Sequence, residues 1–234
     1  MGHRYNEPWI SRNEVFMKEQ NQFFLKVFKQ SGIAERYLSK LKLVDRILAY
    51  SCNRNLDRFL EEGDEVPGLK GWRSLETPGH AQSHISLFYK NEGLLIGGDL
   101  LLPKVSSNPL LEPPMEGKDR PRPQLQYNES LKRLLSIPIK TVLPGHGETV
   151  KNSHGLIRYR LKRQKERAFS ILSYLKEKPM TSFEICARLF PSEYIKQLML
   201  TMSETIGQLD YLEEIGEIKK EAINNVDYYS LSHS

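Results

Sequence analysis

The apolar positions of this chain change period along its length. In residues 13–30, Phe16, Phe23, Phe24, Val27 and Phe28 fall on one face at helical spacing. Ser31-Gly32 closes that run, and Ser11 or Asn13 can cap its start. The aromatic stripe reads as a face that packs into a core. A second helix is expected over residues 34–43. After residue 60 the period shortens. Residues 61–66 read as a turn entering a strand, and residues 72–77 as a strand ending at Pro78-Gly79. Residues 85–89 and 94–96 read as a hairpin across Lys90-Asn91-Glu92-Gly93. Residues 103–123 are proline-rich and read as an irregular surface loop. A short helix over residues 128–135 and a strand over residues 141–143 come next. Strands alternating with helices point to an α/β sandwich.

From Asn152 the helical period returns. Ile157, Leu161, Ala168, Ile171, Leu172 and Leu175 mark a long helix. Thr181-Ser182-Phe183-Glu184 is a capping-box pattern that opens another. Residues 193–215 make a third, closed by Gly216. The runs EIKKEAI and VDYYSL then flank Asn224-Asn225, a hairpin signal. Three helices and a hairpin describe a small winged-helix-like tail. The boundary is expected near residue 151, giving domains 1–150 and 151–234.

Composition narrows the classes. At 39% hydrophobic and 27% charged residues, the 234-residue chain reads as an ordinary globular protein. No run approaches the roughly 18 apolar residues of a membrane span. The first residues lack the apolar core of a secretory signal, so a cytoplasmic location is expected. The two cysteines, Cys52 and Cys186, form no CxxC pair, which suits a reducing compartment and argues against thiolate zinc. A net charge of +5 suits anionic substrates but is too small to indicate nucleic-acid binding. Arg158, Arg160, Lys162, Arg163, Lys165 and Arg167 form a basic helix segment that reads as a solvated face, with polyanion or RNA guidance as the alternative. The third tail helix carries Glu193, Glu204, Asp210, Glu213 and Glu214 against Lys196 alone, which argues against a DNA reader.

The chemistry gathers at strand ends. His80 sits in a Pro-Gly turn, Asp99 comes after Gly97-Gly98 at the end of the hairpin, and His146 sits in Pro144-Gly145-His146-Gly147. Proline and glycine fix such turns, and glycine lets backbone approach a ligand. Histidine with carboxylate suits zinc, iron or manganese without thiols. His84, four residues after His80, is placed to orient a ligand from behind. His3 and His154 lie outside any motif and read as solvated.

The motifs TPGH, GGD and PGHG, in this order and spacing, resemble the later metal-binding motifs of the metallo-β-lactamase fold hydrolases. The resemblance implies a partial αββα sandwich followed by the winged-helix-like domain. It implies His80 on a first metal, Asp99 bridging both metals as the catalytic carboxylate, and His146 on the second. Two zinc ions per chain are implied for an intact relative, with iron or manganese as alternatives, and the chemistry implied is metal-assisted hydrolysis. Residues 102–108 resemble a subgroup that includes thioesterase-like hydrolases and a single-stranded RNA nuclease. The substrate is therefore expected to be a small molecule with an ester, thioester or phosphodiester bond, or single-stranded RNA, and no membrane partner is expected. The family also carries an earlier HxHxDH motif. The six histidines here are His3, His80, His84, His146, His154 and His233, so no HxH occurs. The expectation is a truncated family member, weak or inactive as a catalyst. The alternative is a non-catalytic paralogue or a polyanion-binding module.

Overall fold

The computed structural model describes residues 1–38, 52–117 and 119–233. Its chain forms two compact units. One comprises Met1–Ser11 and Asn53–Arg163, the other Arg12–Cys52 and Gln164–Ser234.

The first unit is built on a four-stranded mixed sheet. Strands β1 (Trp72–Glu76), β2 (Ile85–Tyr89) and β3 (Leu94–Gly98) form an antiparallel meander. Strand β4 (Thr141–Pro144) adds parallel to β3, in the order β1-β2-β3-β4. A parallel neighbour needs a crossover, and helix α4 (Pro123–Leu134) lies within it. Before this sheet come α1 (Glu7–Ile10), α2 (Glu14–Gln30) and α3 (Glu35–Leu38). Leu75, Leu95 and Val142 from the strands pack with Tyr127, Leu131 and Leu134 of α4, and with Leu100, Leu101 and Ile157, in one apolar cluster. Ile96 and Leu143, paired across β3 and β4, remain exposed.

Helix α4 starts five residues ahead of the expected position. Pro123 occupies its first turn, where the missing N–H costs nothing, and apolar periodicity alone does not register that start. Among the described residues from 103 to 122 no helix or strand forms, but they are not simply superficial. Ser107, Pro109, Leu111 and Pro113 are buried in alternation. Prolines carry no N–H, so an irregular segment rich in them leaves fewer donors to satisfy when buried. His3 is buried as well, contrary to the solvated reading. Its Nε2 lies 3.7 Å from Glu76 Oε1, and burial lowers its pKa.

The second unit holds α2, α3, the C-terminal part of α5 (Ser153–Leu175), α6 (Ser182–Leu189), α7 (Leu198–Glu214) and a three-stranded sheet. The sheet order is β5 (Met180–Thr181), β7 (Val226–Leu231), β6 (Ile218–Ile223), all antiparallel. Asn13 caps α2 by accepting from the Phe16 N–H, and the helix buries Met17, Gln20, Phe24 and Phe28. The remaining residues of the expected second helix, 39–43, lie outside the described residues. Thr181 and Glu184 form the expected capping box at α6. Asn224 and Asn225 both take positive φ, as the two-residue turn of the β6–β7 hairpin requires. Ala168, Ile171, Met180, Ile185, Leu209 and Leu212 form the apolar cluster of this unit. Strand β5, two residues long, is too short to register as a sequence period.

Candidate metal centre

Three loops at one end of the first sheet bring His80, Asp99 and His146 together. Asp99 comes directly after β3, which carries an irregularity between Ile96 and Gly98 in its pairing with β4. Such a bulge bends a strand and re-aims the residues beyond it. Gly98 takes a φ of +50°, and a Cβ there would stand 2.7 Å from His84 Nε2. The Gly145 N–H donates to the Gly98 carbonyl at 2.7 Å, tying the His146 turn to the Asp99 turn. A Cβ at Gly145 would collide with the Asp99 carboxylate. The Gly-Gly-Asp and Pro-Gly-His sequences are therefore two halves of one close approach.

Asp99 Oδ2 lies 3.6 Å from His80 Nε2 and 3.6 Å from His146 Nε2. His80 is held from behind. Its Nδ1 lies 2.9 Å from the Asn108 carbonyl and 3.0 Å from Ser107 Oγ. A carbonyl only accepts, so a ring proton sits on Nδ1, and Nε2 is the nitrogen turned towards Asp99. A backbone carbonyl on the far nitrogen is how metal-binding histidines are commonly oriented. His146 is held less: its side chain is 78% exposed.

His84 lies beneath this group. Its Nδ1 is 2.8 Å from Thr77 Oγ1, which in turn lies 3.0 Å from Ser86 Oγ. Its ring meets the His80 ring edge-on at 6.1 Å between centroids. Burial, with a smaller contribution from His80, lowers the His84 pKa to about 4, and Asp99 opposes the shift. His84 is thus a neutral packing partner of the site around neutral pH. The turn that carries His80 is braced further. Ser130 Oγ donates to the Pro78 carbonyl at 2.7 Å, and Gln82 exchanges amide hydrogen bonds with Gln126 at 2.7 and 3.2 Å. Ser83 Oγ donates to Asn6 Oδ1 at 2.7 Å.

Ser107, Asn108, Glu112 and Gln82 belong to no ligand motif, and motif reading misses them. The clue in the sequence is the run Ser106-Ser107-Asn108-Pro109 so soon after Asp99.

A family model described as the metallo-beta-lactamase superfamily matches residues 9–146. The chain belongs to that superfamily. The "Probable metallo-hydrolase YqjP" of Bacillus subtilis (strain 168) is 46% identical over 213 residues, 91% of this chain and 67% of that protein. A hydroxyacylglutathione hydrolase of Chelativorans sp. (strain BNC1) is 34% identical over 100 residues, 42% of this chain and 35% of that protein. Among solved structures, a metallo-beta-lactamase family protein of Thermus thermophilus shares the fold at a TM-score of 0.76 and 24% identity, over 99% of this chain and 71% of its own. A beta-lactamase domain protein of Burkholderia ambifaria matches at a TM-score of 0.74 and 27% identity, over 87% of this chain and 60% of its own.

Superfamily membership makes a divalent metal the group to test against these residues. The donor chemistry suits one, since imidazole nitrogens and a carboxylate face each other. The arrangement does not. His80 and His146 each lie 3.6 Å from one Asp99 oxygen, a set of two imidazoles and one carboxylate, and a catalytic zinc takes about three protein ligands at a single position. Among the described residues, no group of three or more His, Cys, Asp or Glu side chains converges to hold a metal ion. The described residues therefore do not by themselves complete a metal centre.

Proposed function

We propose that this superfamily member takes part in metal-dependent hydrolysis and contributes His80, Asp99 and His146 to the metal ligands. The observation that carries the reading is the single Asp99 oxygen 3.6 Å from both histidine Nε2 atoms. Asp99 would serve two metal ions and each histidine one, with zinc as the expected metal and iron or manganese as alternatives. The remaining donors would be those of an HxHxDH motif, which this sequence does not contain. On its own the chain is expected to bind metal weakly and to hydrolyse little or nothing.

The substrate is a small molecule with an ester, thioester or phosphodiester bond. The similarity to a hydroxyacylglutathione hydrolase favours an acyl substrate within that range. Single-stranded RNA is less favoured. Arg160 is buried, donating to the Leu102 and Pro103 carbonyls at 3.0 and 3.2 Å, and Arg167 pairs with Glu204. Two of the six cations of the basic segment thus serve internal contacts. The tail has the element order of a winged helix, three helices followed by a hairpin, and we assign it as one. Every residue of α7 from Thr201 to Asp210 is buried, which leaves that stretch no face for a nucleic-acid groove. A packing or lid role suits the tail better than a reading role. No helix among the described residues is long and apolar enough to cross a membrane.

A second reading, a non-catalytic module, draws support from the lack of a three-donor group among the described residues. Zinc titration of the purified chain by isothermal calorimetry separates the two. Weak uptake that disappears in both His80→Ala and Asp99→Ala supports the metal-ligand reading. Identical titrations for all three proteins overturn it.

A further inference from the structure

Four hydrogen bonds tie residues 107–112 to the turn that carries His80. Two reach the imidazole: the Asn108 carbonyl and the Ser107 hydroxyl, both at Nδ1. The other two reach the backbone of the turn. The Leu110 N–H donates to the His80 carbonyl at 3.1 Å, and the Gln82 N–H donates to Glu112 Oε2 at 2.5 Å. Glu112 is the one side chain of the set that accepts from the backbone of the turn. Its location is costly for a carboxyl, since burial pushes it up to about 7. Ser107 beside the ring is 2% exposed, so water does not easily replace it.

These contacts form a loop of constraints. The Nδ1 of His80 keeps its proton against Asn108 only while residues 107–110 stay seated on the turn. Pro109 removes one N–H from the segment, and Pro113-Pro114 follow it directly. The far end of the segment is held by Glu112. We infer that Glu112 is a positioning residue for His80: by accepting the Gln82 N–H it anchors residues 107–112 on the turn and so fixes the tautomer and direction of the His80 ring. This rests on the assignment of His80 as a metal ligand in the proposed function, but its test does not need metal.

The test uses the full chain with 15N-labelled histidine. Proton–nitrogen correlation spectra read the His80 Nδ1 and Nε2 shifts and the solvent exchange of the Nδ1 proton. The wild type should show a protonated, slowly exchanging Nδ1 and a bare Nε2. Glu112→Ala should average the two nitrogen shifts and speed Nδ1–H exchange by about tenfold or more, because the segment then opens locally. Glu112→Gln keeps an acceptor oxygen for the Gln82 N–H and should restore the wild-type tautomer and exchange, a rescue that loss of bulk packing would not give. Unchanged spectra in Glu112→Ala, or no rescue by Glu112→Gln, overturn the inference. If Glu112→Ala does not fold, Glu112→Asp, which withdraws the carboxyl by one methylene, takes its place with the same two outcomes. A protected Nδ1–H in a chain that takes up no zinc removes the metal reading and leaves the positioning role standing.

Discussion

Replacing His84 with glutamine should change how the stability of the chain depends on acidity. The folded chain holds the His84 pKa at about 4, against 6.5 for the free side chain, chiefly through burial. An unfolded chain therefore takes up a proton at His84 below pH 6.5 that the folded chain refuses until about pH 4. Proton uptake by the unfolded state lowers stability as pH falls through that window. The difference of about 2.5 pH units, at ~1.4 kcal/mol each, corresponds to roughly 3 kcal/mol lost between neutral and acid pH. Glutamine does not titrate, and it can still bond Thr77 Oγ1. The gap between wild type and His84→Gln should thus be constant above pH 7 and move in favour of the variant by about 3 kcal/mol by pH 4. Urea unfolding at a series of pH values, followed by near-ultraviolet circular dichroism, measures that gap. A gap that does not move with pH would refute the buried neutral state of His84.

The other expectations are more local. Glu112→Gln should show the opposite slope: the wild-type carboxyl ionises at about 7 when folded and at 4.5 when unfolded, so the wild type loses stability relative to the variant as pH rises through that window, by about 3 kcal/mol in the same unfolding assay. Leu131→Ala empties a fully buried position between α4 and the sheet and should cost about 2–5 kcal/mol in denaturant unfolding. Thr181→Ala removes one side of the capping box of α6 and should cost about 1 kcal/mol, read as a drop in melting temperature. Gly145→Ala should abolish zinc uptake while leaving the far-ultraviolet circular dichroism unchanged, since its Cβ collides with the Asp99 carboxylate and crowds the Gly98 backbone beside it; uptake equal to wild type would contradict the described approach of the two loops.

The helices and strands of both units are largely legible in the sequence because their apolar periods are strong. Residues 13–30, the hairpin at 85–96 and the capping box at Thr181 announce themselves through spacing and caps that act within a few residues. The candidate ligand residues are legible for a different reason: Pro-Gly and Gly-Gly punctuation marks where a side chain must be aimed. Contact at long separation is another matter. Glu112 reaches Gln82 across 30 positions and Ser107 reaches His80 across 27. No periodicity encodes such pairs. The burial of His3 is of the same kind, since it depends on Glu76 and on the return of residues 56–60 to the start of the chain. The grouping of α2 with the tail is likewise hidden. The Phe183 N–H donates to the Ser31 carbonyl at 3.1 Å, a contact across about 150 residues that only the fold brings together.

That interleaving has a consequence for synthesis. Met1–Ser11 belongs to a unit whose remainder begins at Asn53, while Arg12–Cys52 belongs to a unit whose remainder begins at Gln164. Chains fold as they leave the ribosome, N-terminal parts first where they can. Here the first long helix, α2, emerges well before α6, β7 and the rest of its unit exist. Its buried face, with Phe24 and Phe28, must wait in water or in the care of a chaperone until the last third of the chain is translated. Slowing translation ahead of residue 164 should therefore lengthen the life of an aggregation-prone nascent chain and lower the yield of folded protein, whereas the same pause placed ahead of residue 12 should leave the yield unchanged.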